Sequence, residues 1–266
     1  MKWTEKLFRN NKPIIAMVHM NALPTDPLYK GESLDSIVEW VKKDILALQN
    51  GGVDGLIFSN EFSLPYQRNM QFITPACMAY IIGRVKNYIQ IPYGVDCISD
   101  GFATLDLARA VDAQFVRGTF SGVYVGDGGF YNNELSEFIR RKNQLGLLEL
   151  PMIYFLHPES DVNLDTRSVI DIAKSLVFKA NSDTYCISSK QAGAQVSVDY
   201  LKSLKEQLPD QIILCNTGAN KSNIKDILEV TDGAIVGTTF KKNGEFMEHV
   251  DKDRVIDFMK EVQKYR

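Results

Sequence analysis

A chain of 266 residues with 45% hydrophobic and 24% charged residues has the makeup of an ordinary globular protein, long enough for one large domain or two small ones. Its net charge of −3 and pI of about 5.7 leave no basic footprint for nucleic acid or an acidic membrane surface, and no apolar run approaches the ~18–20 residues of a membrane span. Cys77, Cys97, Cys186 and Cys215 form no C-x-x-C pair and MKWTEKLFRNNKP lacks a signal-peptide core, so reduced thiols and a cytoplasmic location are expected rather than a zinc ribbon or a disulfide scaffold.

Along the chain, short apolar runs alternate with amphipathic helical segments. Trp3, Leu7 and Phe8 come first and predict a short amphipathic plug. The runs are PIIAMVHM, DGLIFSN, IPYGVDC, AQFVRGTF, LPMIYFLH, DTYCISS, QIILCNTG and DGAIVGTT. Between them lie segments such as SLDSIVEWVKKDILALQNGG, with Leu34, Ile37, Val38, Val41, Ile45 and Leu48 at helical spacing. Strands that alternate with helices imply a parallel sheet with helical crossovers.

The odd-numbered runs are led in by Pro13, Pro92, Pro151 and Pro209, and the even-numbered ones by Asp54, Asp112, Asp183 and Asp232. A strand pair that recurs four times predicts an α/β fold, a single (β/α)8 barrel domain over 1–266. A doubly wound open sheet is the alternative, which the repeat disfavours. Links from helix to strand are short, whereas NALPTDPLYKGES, EFSLPYQRNMQFIT, SGVYVGDGGFYNN and HPESDVNLDT after strands are long, which puts the functional face at the strands' C-terminal ends.

The ionisable groups at those ends are the catalytic candidates: His19, Glu61, Asp96, Arg117 and His157. His19 and His157 each end an apolar run and suit general acid–base work, against a structural, hydrogen-bonded role. Asp96 with Arg117 from the neighbouring strand reads as a base held ionised by a guanidinium, or as a structural ion pair at the rim. Asp100 is expected to cap the following helix, His249 to be a surface or capping residue, and Lys190 is a second-tier nucleophile candidate. His19, Asp96 and His157 have no metal-ligand spacing motif.

Two segments predict an anion cradle. CNTGANKSNI brings Gly218 and Ala219 after a strand, with Asn216 at its exit and a helix expected to open at residues 220–222; GTTFKKNG supplies Gly237 and Thr238 after the eighth run, with Lys241 or Lys242 adding charge. Neither is a Walker A loop, but the pair matches the phosphate site that many barrels build after strands seven and eight. VGDGGF at 125–130 reads as a flexible, lid-forming loop.

KPIIAMVHMNALPTDPLYKG, GGVDGLIFSNEFSLPY, IPYGVDCISDGFATLDLARAVDAQFVRG and DGAIVGTTFKKNGEFMEHVDKDRV resemble the BtpA (BtpA/SgcQ) family over nearly the whole chain. The resemblance implies a TIM barrel of the ribulose-phosphate-binding type. It places His19 in the family's strand-one V-H motif, Asp96 where the third strand ordinarily has Asn, and Gly237-Thr238 in its I-V-G-T motif. The family includes a member linked to photosystem I biogenesis, others found with sugar metabolism, and others labelled nucleoside triphosphatases. DCISDGF, SSKQAGA and YFLHPESDV stand where members commonly read V-L-R-N-D-A, S-G-x-x-T-G and a D-V-x-x-K-H-like stretch. The expected activity is isomerase, epimerase or lyase chemistry on a small phosphorylated molecule, with no resident cofactor. The alternatives are a phosphate-ester hydrolase using Mg²⁺ held by Glu61 and Asp96, and a non-enzymatic assembly or regulatory factor that keeps a ligand pocket. A homo-oligomer is also open, since barrels often associate.

Overall fold

The computed structural model describes residues 1–159, 161–189 and 194–266. A helix, α1 (Trp3–Phe8), precedes β1 (Ile14–His19), α2 (Leu34–Gly51), β2 (Gly55–Ser59), α3 (Ile73–Val85), β3 (Tyr93–Asp96), α4 (Gly101–Val111) and β4 (Phe115–Gly118). Then follow β5 (Gly122–Gly126), β6 (Gly129–Asn133), α5 (Leu135–Gln144), β7 (Met152–Phe155), β8 (Val162–Asn163) and α6 (Val169–Ala180). The chain closes with β9 (Thr184–Ile187), α7 (Val198–Gln207), β10 (Ile212–Cys215), α8 (Ile224–Val230), β11 (Ala234–Val236) and α9 (Lys252–Val262). Eight parallel strands close a barrel in the order β1-β11-β10-β9-β7-β4-β3-β2, the (β/α)8 TIM barrel that the repeat predicts. No helix among the described residues is long and apolar enough to cross a membrane.

Strand parity divides the chain between two cores. Ile14, Ala16 and Val18 of β1 face the helices, where they join Val41, Ile45 and Leu48 of α2. Ile15 and Met17 face inward with Ile57, Phe115, Ile153, Ile212, Leu214 and Ile235. Trp3, Leu7 and Phe8 of α1 pack under this interior as the sequence predicts, and Trp3 Nε1 donates to Thr184 Oγ1 at 2.7 Å. The plug therefore closes the mouth at the N-terminal ends of the strands. The next inward positions above the apolar layer are His19, Asp96, Arg117, Phe155 and Asn216, at the opposite mouth.

The aspartate repeat has a physical cause in two of its four members. Asp54 Oδ2 accepts from the Ile14 N–H at 2.8 Å, and Asp232 Oδ2 from the Ile213 N–H at 2.9 Å. Asp54 thus satisfies the first backbone donor of β1, and Asp232 the second of β10, whose first donor goes to the Asp183 carbonyl. Asp112 instead ends α4 in the left-handed region (φ 56°), and Asp183 accepts from the Thr184 hydroxyl.

One expectation changes. VGDGGF is the turn of a β-hairpin, with Val125 opposite Phe130 and Gly126 opposite Gly129, and β8 adds a third antiparallel strand to β5. Asp127-Gly128 between residues that can pair is a hairpin signal, and it outweighs the loop reading. The small sheet is tied to the rim: Tyr124 is buried with its hydroxyl on Leu156 O, Arg68 Nη2 donates to Gly129 O at 2.7 Å, and the Tyr131 hydroxyl lies 3.0 Å from that of Ser99.

Candidate active site

Arg117 is the hub of the C-terminal mouth. It projects inward from β4, 5% exposed, and its three nitrogens face three different elements. Nε donates to Asp96 Oδ2 at 2.7 Å, Nη1 donates to Asn216 Oδ1 at 2.8 Å, and Nη2 stands 3.7 Å from Glu61 Oε1. The guanidinium also lies over the Phe155 ring, 5.1 Å from its centroid. Asp96 ends β3 and is paired in register with Ser59 of β2, so closure of the sheet brings Asp96, Glu61 and Arg117 together although they span residues 61 to 117. Glu61 accepts further from the Ser59 hydroxyl and from the Tyr66 hydroxyl, each at 3.2 Å. Asn216 extends the chain of contacts by donating from Nδ2 to Ser188 Oγ at 2.9 Å.

The electrostatics follow from burial. Removal from water pushes the Asp96 carboxyl above the usual carboxylate range, against the opposing pull of Arg117. Burial pushes Glu61 up as well, with Arg117 opposing and the nearby Asp96 charge adding to the rise. For Arg117 burial works against the charge, but the two carboxylates outweigh it and hold the guanidinium cationic. Two carboxyls lifted toward neutrality on one guanidinium are suited to proton transfer, because an acid or base works best with a pKa near the operating pH.

His19 ends β1, 3% exposed, between the rings of Phe62 and Phe246 at centroid distances of 6.0 and 5.1 Å. Burial holds its pKa well below the ordinary 6.5, and the charges of Lys241 and Arg117 lower it further, so His19 is a neutral imidazole at pH 7. Its Nδ1 and the Asn21 Oδ1 are buried without a partner among the described residues. Neither is satisfied by the fold, which makes them candidates to meet a ligand hydroxyl.

The cradle segments meet as well. Thr239 Oγ1 donates to Ala219 O at 2.7 Å, which joins the loop after β11 to the loop after β10. The N–H groups of Gly218, Ala219, Gly237 and Thr238 have no acceptor among the described residues, and Thr238 is exposed. Gly218 is in the left-handed region (φ +76°), and a Cβ there would stand 2.5 Å from the Gln195 backbone. A Cβ on Gly237 would stand 2.9 Å from His19 Nε2, so the eighth-strand turn lies directly against the histidine.

Several sequence-based assignments are revised. His157 turns to the small sheet, with Nδ1 2.7 Å from Pro158 O and its ring 6.4 Å from that of Tyr124. The helix expected at 220–222 begins at Ile224, because Asn220 folds into a turn in which its side chain accepts from the Ser222 N–H and hydroxyl. Lys241 is wholly buried and paired with Asp44 at 3.1 Å, leaving Lys242 as the exposed lysine of the turn. His249 is half-buried, 24% exposed, and its Nδ1 donates to the same Asp44 at 2.7 Å. Asp100 caps α4 as expected, its side chain accepting from the Ala103 N–H. Lys190 lies outside the described residues. Among the described residues no three His, Cys, Asp or Glu side chains gather to hold a metal, and Arg117 occupies the space between the two acids considered for Mg²⁺.

Two further groups escaped sequence reasoning. Glu159, from the loop after β7, accepts from the Thr217 hydroxyl beside the cradle. Tyr66 holds Glu61 from the loop after β2, through both the carboxylate and the Glu61 carbonyl. Both lie beyond strand ends in long loops, where no periodicity marks a residue.

A family profile described as the BtpA family matches residues 10–264. Over the full length of both chains, the sequence is 40% identical to the sgc region protein SgcQ of Escherichia coli K12. It is 27% identical to the photosystem I biogenesis protein BtpA of Synechocystis sp. PCC 6803, over 95% of this chain and 88% of that one. Among solved structures, KGPDC from Streptococcus mutans superposes with a TM-score of 0.60 at 11% identity, over 96% of this chain and 99% of the other. Phosphoribosyl anthranilate isomerase from Thermus thermophilus gives 0.56 at 9% identity, over 96% and 100%. At such identities these two structures share the fold.

Proposed function

The chain belongs to the BtpA family, and on that premise we propose that it is an enzyme of isomerase, epimerase or lyase type acting on a small phosphorylated metabolite at the C-terminal mouth of the barrel. The observation that carries this reading is the fork of Arg117, which holds a buried carboxylate pair on one side and Asn216, the root of the Gly218 loop, on the other. A proton-handling cluster is thereby continuous with a loop whose backbone donors are unfilled. The phosphate is received by the N–H groups of Gly218, Ala219, Gly237 and Thr238, which favour an anion at short range. Asp96 takes a proton from a carbon or hydroxyl of the substrate, and Glu61, which stands farther from Arg117, returns one. Arg117 stabilises the negative charge that develops between them. His19, neutral and buried, orients the substrate by hydrogen bonding instead of transferring protons.

Amide chemical shifts test the reading. Orthophosphate and a panel of pentose and hexose phosphates should shift the amides of Gly218, Ala219, Gly237 and Thr238 in the protein, saturably and in competition with one another. Shifts confined to surface lysines, or none up to millimolar ligand, would remove the phosphate assignment.

A further inference from the structure

The buried stripe of α2 carries Ile37, Val38, Val41, Ile45 and Leu48, and one acid falls within it. Asp44 is wholly buried, and both of its oxygens are used by groups from a single distant segment. Oδ2 accepts from Lys241 Nζ at 3.1 Å. Oδ1 accepts from His249 Nδ1 at 2.7 Å and from the Val250 N–H at 3.1 Å. Lys241 and Val250 also face each other in an antiparallel bridge, and the Lys242 N–H donates to His249 O at 2.9 Å. Loop 241–250 therefore leaves and returns at one point, and that point is a carboxylate on another element. Trp40, one turn earlier on α2, stacks on the His249 ring with centroids 3.5 Å apart.

The loop reaches the mouth from there. Phe246 packs 5.1 Å from His19 and 5.2 Å from Phe62, and the Lys241 N–H donates to Thr238 O at 3.0 Å. A buried ion pair is a poor source of stability, because an apolar pair of equal volume often serves as well or better. An apolar pair, however, cannot converge three donors on one point. We propose that Asp44 is a positioning residue of the mouth, which pins both ends of loop 241–250 and so fixes Phe246 over His19 and the turn that carries Gly237 and Thr238. Its effect on ligand binding rests on the phosphate reading of that turn; the pinning itself does not.

Three readouts on D44L/K241M, which keeps no acceptor at 44, decide the matter: amide hydrogen exchange, Trp40 emission in a W3F background, and orthophosphate affinity. The double substitution removes both buried charges, so it should melt within a few degrees of the parent. Pinning predicts that peptides covering 237–250 nevertheless exchange at least tenfold faster in it, that Trp40 emission shifts to the red, and that orthophosphate binds at least tenfold more weakly. Parent-like exchange and emission in D44L/K241M would show that Asp44 merely neutralises Lys241, and faster exchange spread evenly over the barrel would equally overturn the proposal. If the parent itself binds no orthophosphate, the phosphate reading fails while exchange and emission still decide the pinning.

Discussion

Replacing Arg117 by methionine fills most of its volume but leaves Asp96 and Glu61 buried without their common cation. The side chains concerned are 6% exposed for Arg117, 3% for Asp96 and 15% for Glu61, so water cannot make good the loss. Breaking a buried pair on one side costs about 3–5 kcal/mol. The orphaned carboxyls can limit this by taking up protons, at a cost of about 4 kcal/mol for each at pH 7 but only about 1.5 kcal/mol at pH 5. The sign of the pH dependence follows. A carboxyl whose folded pKa is raised binds more protons when folded, so its destabilisation is absent below the unfolded pKa of about 4 and grows as pH rises through the gap to the folded value. R117M should therefore melt roughly 6–20 °C below the parent at pH 8 and clearly less than that at pH 5, at ~2–4 °C per kcal/mol for a chain of this size. Calorimetric or circular-dichroism melts at the two pH values read this out. An unchanged melting temperature at pH 8, or a larger loss at pH 5 than at pH 8, would refute the reasoning.

His19 supplies the opposite limb. Its folded pKa is depressed by burial, so the folded state binds fewer protons and stability falls as pH drops below about 6.5, by at most ~1.4 kcal/mol per pH unit. H19Q, which does not titrate, should show a flatter melting profile between pH 6.5 and 4.5, and an identical slope would remove the buried-neutral assignment. Glu159 places a negative charge beside the cradle through Thr217. E159Q should tighten orthophosphate binding about fivefold, the ~1 kcal/mol of a like-charge pair in water-like surroundings, measured by titration calorimetry; unchanged or weaker binding would place the anion elsewhere.

The barrel was legible because its physics repeats. Each strand buries a two-sided apolar run and needs acceptors for its opening N–H groups, and two of the recurring aspartates record that need: Asp54 at the Ile14 N–H and Asp232 at the Ile213 N–H. The inward layer of His19, Asp96, Arg117 and Asn216 also follows from parity once the strand ends are known. The small sheet escapes the sequence reading because its Gly-rich turn looks like a flexible loop unless Asp127-Gly128 is weighed as a hairpin turn. Which of Lys241 and Lys242 stays at the surface is not legible in the sequence, because a lysine after a strand is usually solvated. The partner of Lys241 lies 197 residues away, and the only local sign was an acid inside the apolar stripe of α2. Glu159 and Tyr66 had no sign at all, since loop residues are placed by closure of the barrel and by tertiary contacts.

Exchange of carbon-bound hydrogen in D₂O tests most directly the claim that the mouth moves protons on a phosphorylated metabolite. With sugar phosphates that bind the protein, proton magnetic resonance should show a C–H signal beside the carbonyl or hydroxyl-bearing carbon fading with catalytic amounts of the parent. D96N should slow it by roughly 10²-fold or more, the scale of a lost general base, while binding the same ligand. Ligands that bind and shift the Gly218 and Gly237 amides yet exchange no hydrogen in the parent, or exchange it equally fast in D96N, would contradict the account.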